Sequence, residues 1–306
     1  MIGTGFTHRD LRVLDQLMKC SVVRGDDATG IATGNIRRNN VKTIKFPINA
    51  HDFRWYTDKK EDDFLANLNH HIWIGHTRAA TSGSLKVEGA QPFDLQNITG
   101  CHNGGLGYNI GKYHSDSHRL LSEIDTEGLQ PALNRTFTND AYALTWYDKR
   151  DKLFRMIHNG RREFSFCILK DRPVMFWASE EKMLRWILDR NGGEYVADYY
   201  VLEPHWLMEV DAFLVNNKDN KKSWKITKDV KRVLQTIPSH VNRAHMRQAS
   251  MYDEEYWSEF YGDHMGEGIP NFLRDRHGLS ENDTNDEAAA KEARALIGVM
   301  TQQQLK

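Results

Sequence analysis

Residues 72–107 constrain this chain more than any other stretch. Two apolar runs, Ile72-Trp73-Ile74 and Ile98-Thr99-Gly100-Cys101, each end in a burst of small and polar residues. The first continues Gly75-His76-Thr77-Arg78-Ala79-Ala80-Thr81, and the second His102-Asn103-Gly104-Gly105. Each pattern predicts a buried strand that delivers a polar loop at its carboxyl end. An arginine flanked by hydroxyls suits a carboxylate, because the guanidinium fork matches that geometry. An amide side chain followed by two glycines suits an oxyanion, since glycine lets the backbone approach a ligand closely.

The rest of the chain must fold around those two strands. Its 306 residues allow one large domain or two modest ones. The 41 Lys and Arg nearly balance the 42 Asp and Glu, which argues against a dedicated nucleic-acid binder while leaving a local basic patch open. Cys20, Cys101 and Cys167 form no CxxC pair, so a cysteine-built zinc site is not expected. The pairs His70-His71 and His114/His118 lack companions at ligand spacing, so no metal is expected, and no cofactor is implied. An odd, sparse cysteine count fits a reducing compartment. No apolar run approaches the ~20 residues that span a bilayer, and no signal peptide is visible. A cytoplasmic protein is expected, in the host cytoplasm if the chain is viral.

Local patterns give the order of elements. Residues 1–6 fit a short strand, and 8–23 an amphipathic helix with Leu11, Leu14, Leu17 and Met18 at helical spacing. A polar turn, Arg24-Gly25-Asp26-Asp27-Ala28-Thr29-Gly30, leads into a strand at 31–33. Asn39-Asn40 suggests a hairpin, and 61–68 a short helix. Helices are expected at 117–123 and 126–135. Hairpin-linked strands follow at 141–147, 153–158, 164–169 and 174–178, then a helix at 180–189 capped by Ser179, and two strands at 199–202 and 206–210. After residue 215 the character changes. Residues 216–247 carry nine Lys and Arg against two Asp, and 286–302 read as an alanine-rich helix. The expected organisation is a domain over 1–215 and an extension over 216–306, a basic linker and then helix. The basic run 218–247, with Trp224, reads as a solvated linker; a phosphate-backbone contact is the second reading.

Five motifs in order now carry a resemblance. Gly75-His76-Thr77-Arg78-Ala79-Ala80-Thr81 resembles the Gly-His-Thr-Arg-Trp-Ala-Thr motif of the class II glutamine amidotransferases. His102-Asn103-Gly104 resembles their His-Asn-Gly, and the Arg24–Gly30 turn their Arg-Gly-x-Asp-x-x-Gly. Ser115-Asp116-Ser117-His118 stands where they have Ser/Thr-Asp-Thr/Ser-Glu, with histidine replacing the glutamate. Phe176-Trp177-Ala178-Ser179-Glu180 is similar to their Phe-Ala-Ser-Glu/Asp strand end. The resemblance implies an α+β fold, a four-layer αββα sandwich of two antiparallel sheets known as the N-terminal-nucleophile (Ntn) hydrolase fold. It implies hydrolysis of glutamine to glutamate and ammonia. Arg78 would hold the substrate α-carboxylate, Thr81 add a hydroxyl contact, and Asp116 pair with the α-ammonium. The Asn103 side chain and the Gly104 N–H would form the oxyanion hole.

The family's nucleophile is an N-terminal cysteine, and this chain begins Met1-Ile2-Gly3-Thr4-Gly5. Counting back from Arg24 places the expected cysteine at or a few residues before Met1. Three arrangements stay open: a natural Cys-Gly segment preceding Met1, which is the expectation; a catalytically inactive binding or scaffold protein; or cleavage after Gly3 that exposes Thr4. Residues 216–306 are too few for an ATP pyrophosphatase or a sugar isomerase. The chain therefore resembles stand-alone versions, including phage-encoded ones, whose ammonia would pass to a protein partner.

Overall fold

The computed structural model describes residues 1–53, 66–80, 83, 85–107, 109–191, 197–215 and 224–227. The strands are β1 (Ile2–Gly3), β2 (Ala28–Gly34), β3 (Lys42–Phe46), β4 (Ile72–Arg78), β5 (Phe93–Asp94), β6 (Ile98–Gly105) and β7 (Ala141–Asp148). They continue as β8 (Leu153–His158), β9 (Ser165–Leu169), β10 (Val174–Ala178), β11 (Ala197–Val201), β12 (Leu207–Val210) and β13 (Trp224–Thr227). The principal helices are α1 (His8–Cys20), α2 (Asp116–Glu127), α3 (Leu129–Asn134) and α4 (Glu181–Arg190). One sheet has the order β11-β9-β10-β1-β4-β2-β3 and the other β13-β12-β8-β7-β6-β5, with antiparallel pairing throughout.

Strand alternation sorts the apolar side chains into three layers. Ile72 and Ile74 of β4 join Cys101, Ala143, Tyr147 and Met175 between the sheets. Trp73 and Phe176 point the other way, into a cluster with Val13 and Leu17 of α1 and with Leu184 and Leu188 of α4. Ile98, Tyr142, Leu144 and Trp146 face Leu120, Leu121 and Ile124 of α2 and Leu133 of α3. Three apolar interfaces between four layers make the αββα sandwich.

Sequence and structure part in several places. The helix expected over 8–23 ends at Cys20 and tightens into a 3₁₀ turn over Ser21–Arg24. The expected turn is shorter, because Ala28, Thr29 and Gly30 pair with Arg78, Thr77 and His76 in strand β2. Gly128, at φ +94°, separates α2 from α3. The N-cap of α4 is Glu180, without a side-chain bond, rather than Ser179. Most of the helix expected at 61–68, Thr81, and nearly all of the extension lie outside the described residues. Within the stretch assigned to that extension, β13 pairs with β12 and so adds a strand to the second sheet.

Candidate functional site

The site begins with which way β4 faces. Gly75 and Thr77 point to the helical layer. A Cβ on Gly75 would lie 2.2 Å from Met18 Sδ, and Thr77 Oγ1 donates to Ser21 O at 2.8 Å. Alternation therefore turns His76 and Arg78 inward, toward β6 of the other sheet. Arg78 is buried at the strand end and feels the carboxylates of Asp116 and Asp27. Burial lowers its pKa and the two carboxylates oppose that; it remains a cation, as arginine does.

The Arg24–Gly30 turn buttresses this strand end. Asp27 N donates to Arg78 O at 3.0 Å, and Ala80 N donates to Asp27 Oδ2 at 2.7 Å. Gly25 packs directly on the backbone, where a Cβ would lie 2.1 Å from Ala79 N. Arg24 forms an ion pair with Glu180, which ties the turn to the segment after β10.

The second wall is the end of β6. Asn103 and Gly104 pair with Ala143 and Tyr142 of β7. Gly104 has φ +149°, and a Cβ there would sit 1.9 Å from Ala141 O, so only glycine fits. Beyond it, Leu106 N donates to Asp116 Oδ2 at 3.0 Å and Gly107 N to Asp140 Oδ1 at 2.8 Å. Asp116 opens α2, whose N-cap Ser115 accepts from His118 N at 3.1 Å. Two buried carboxylates thus pin the loop that follows the amide. Sequence reasoning singled out Asp116 and missed Asp140, which stands in no recognisable motif.

Three imidazoles near the site are held neutral by burial. His102 Nδ1 lies 2.8 Å from Ser117 Oγ and Nε2 3.3 Å from Ala141 O. Burial lowers its pKa, while the Asp116 charge opposes. Burial, and next the His102 imidazole, push His76 down to about 3. For His118 burial and then His114 bring the value to about 4. The thiols go the other way. Burial raises Cys101 far above the usual thiol range, Cys167 to about 12 and Cys20 to about 11, so none is a thiolate near neutral pH.

A cavity of about 120 Å³ opens where β1 starts. Met1, Gly75, His76, Thr77, Cys101, Asn103 and Ser179 line it, together with residues of α1 and α4. Arg78, Gly104 and Asp116 do not line it, and Thr81 lies outside the described residues. The Met1 amine is buried and donates to Trp73 O at 2.7 Å, while Trp73 N donates to Met1 O at 2.8 Å. Burial pushes this amine well below its usual pKa, and Cys167 opposes. Among the described residues no group of three or more His, Cys, Asp or Glu could hold a metal, and no helix is long and apolar enough to cross a membrane.

This architecture is the Ntn-hydrolase sandwich. The B. subtilis glutamine phosphoribosylpyrophosphate amidotransferase, solved with ADP and GMP, matches it with a TM-score of 0.51 at 19% identity, over 75% of this chain and 48% of its own. A structure described as the allosteric regulatory enzyme of purine biosynthesis gives 0.52, also at 19% identity and with the same coverage of 75% and 48%. No protein-family model matches the chain. In sequence, the chain is 26% identical over 167 residues to the isomerizing glutamine–fructose-6-phosphate aminotransferase of Helicobacter pylori, covering 52% of this chain. It is 32% identical over 109 residues to the amidophosphoribosyltransferase of Methanocaldococcus jannaschii, covering 34%. These matches span 27% and 20% of the relatives' own lengths. Both homologues are class II glutamine amidotransferases.

Proposed function

We propose that this chain is a glutamine amidotransferase domain that binds glutamine and, with a cysteine ahead of Met1, hydrolyses it to glutamate and ammonia for a protein partner. The observation that carries the reading is the placement of Arg78 in the field of Asp116, at the end of the strand that faces Asn103 and Gly104. A cation and a carboxylate at one end suit the two charges of an amino acid. An amide and a backbone N–H at the other suit the oxyanion that forms when its side-chain carbonyl is attacked. Thr81 would add its hydroxyl to the carboxylate contact.

The register of β1 supports a place for the nucleophile. Ile2 pairs with Ile72 and Met1 with Trp73. In that register the second residue ahead of Met1 stands opposite Gly75, at the cavity. A cysteine there would pass its thiol proton to its own α-amine, and its sulfur would attack the carboxamide carbon. The C–N bond would break with that proton delivered to nitrogen, releasing ammonia, and water would hydrolyse the thioester to glutamate.

A second reading, a binding or scaffold protein without catalysis, draws support from the three protonated thiols, none of which can replace the nucleophile. The deciding experiment adds Cys-Gly or Ala-Gly ahead of Met1, with the initiator methionine removed, and measures ammonia release from glutamine. Release by the Cys-Gly form alone, reduced about 10²–10³-fold by Asn103→Ala, supports hydrolysis. No release from either form sinks it and leaves the binding reading.

A further inference from the structure

The β6–β7 ladder ends where Gly105 pairs with Ala141. Past that pair no ladder bond remains for the N–H groups of Leu106 and Gly107. Side chains take over: Asp116 of α2 accepts from Leu106, and Asp140, the residue just ahead of β7, accepts from Gly107 at 2.8 Å. Asp140 is fully buried and held on every side. Its Oδ2 accepts from Phe137 N at 2.7 Å, its own N–H donates to Phe137 O at 3.2 Å, and its carbonyl accepts from Asn159 Nδ2 at 2.7 Å. Asn159 is fixed in turn, because its Oδ1 accepts from Tyr142 N at 3.2 Å and its N–H donates to Tyr142 O at 3.1 Å. Tyr142 is the residue that pairs with Gly104.

This clip sits behind the part of the site with most freedom to move. Gly104 and Gly105 carry no side chain to lock their peptides, and a Cβ on Gly105 would meet nothing within 4 Å among the described residues. An oxyanion donor lowers a barrier only if it is already aimed when the charge develops. We propose that Asp140, braced by Asn159, is a positioning residue for the oxyanion hole: by holding Gly107 it keeps the Gly104 N–H aimed before the substrate arrives. Asp140 does not line the cavity, so it acts through the loop and not by touching glutamine. Its effect falls on turnover and not on binding, since the oxyanion exists only after attack. The inference rests on the glutamine-hydrolysis reading above and adds to it the device that sets the hole.

Asp140→Asn tests this, because a carboxamide offers one acceptor oxygen and turns its NH2 against either Gly107 N or Phe137 N. Ammonia release is measured on the full chain carrying the Cys-Gly extension, and glutamine affinity by calorimetry on the full chain as it stands. Asp140→Asn should lower kcat about 10–10²-fold, short of the loss when a donor is removed outright, and change affinity by less than about twofold. Asn159→Ala, which leaves Asp140 and Gly107 in place, should lower kcat about threefold, again with affinity kept. An unchanged kcat in Asp140→Asn, or kcat and affinity falling together, overturns the assignment alone. If Asp140→Asn does not fold, an unchanged kcat in Asn159→Ala overturns it. No ammonia release from the Cys-Gly form of the wild type overturns the hydrolysis reading and this inference with it.

Discussion

The carboxamide of Gln91 grips the backbone of His102 from both sides. Its Nε2 donates to His102 O at 3.0 Å, and its Oε1 accepts from His102 N at 2.7 Å. The reason lies in the register. Strand β5 pairs Phe93 with Gly100 and Asp94 with Thr99, and the next residue back, Pro92, has no N–H to continue the ladder. The Gln91 side chain supplies the missing peptide-like partner one step before Asn103. Gln91→Leu should leave the buried His102 N–H unpaired, at about 1–3 kcal/mol. A urea midpoint unchanged from wild type would refute this role.

Gly104 carries the other demand on that loop. An alanine would have to hold φ +149° with its Cβ 1.9 Å from Ala141 O. The backbone region alone costs about 1–3 kcal/mol for a residue with a side chain, and the clash adds to it. Gly104→Ala should lower thermal stability and weaken glutamine binding at least tenfold. Gly105→Ala should do neither, because a Cβ there meets nothing within 4 Å. Equal behaviour of the two variants in a thermal melt and titration would count against the argument.

Gly25 tests the support of Arg78 from the opposite side. A Cβ would fall 2.2 Å from Arg78 C as well as against Ala79 N. Gly25→Ala should push the end of β4 away from its turn and reduce affinity for glutamine at least tenfold, while the core of α1 against Trp73 stays packed. Near-ultraviolet circular dichroism that retains its tryptophan signal, with binding lost, is the expected pair of results. Retained binding would argue that Arg78 is placed without the turn.

Acid should destabilise the protein through its histidines. His70, His71, His76, His102 and His118 all have folded-state pKa values below the ordinary 6.5, each with burial as the first cause. Their protons bind the unfolded chain more readily than the folded one. The stability they contribute is therefore complete above about pH 6.5 and is lost as pH falls toward the folded values, about 4 for His118 and about 3 for His76. Denaturation midpoints should fall between pH 7 and pH 4, and His76→Asn should flatten that slope. A flat profile in the wild type would contradict the buried, neutral state of these imidazoles.

Much of this was legible in the chain itself. The alternation of Ile72, Trp73 and Ile74 predicts a strand buried on both faces, and the two faces do enter different apolar clusters. The five motifs in order imply the sandwich, and Arg78, Asn103, Gly104 and Asp116 all fall within them. Local periodicity also located most helices and hairpins, because each records which side of one element is apolar.

What the chain could not disclose is which distant pieces meet. Nothing local tells that β1 lies between β10 and β4, with Ile2 paired to both Met175 and Ile72 and Gly3 to Val174. Nor does it tell that Gln91 stands in for a strand, that Asp140 holds Gly107, or that His76 looks across the sandwich at His102. Those relationships are set by strand register and sheet-on-sheet packing, which join residues tens to well over a hundred positions apart. The residue types around residues 72–107 determine what chemistry is available; the fold alone decides that Arg78 at the end of β4 and Asn103 and Gly104 at the end of β6 belong to strands of facing sheets.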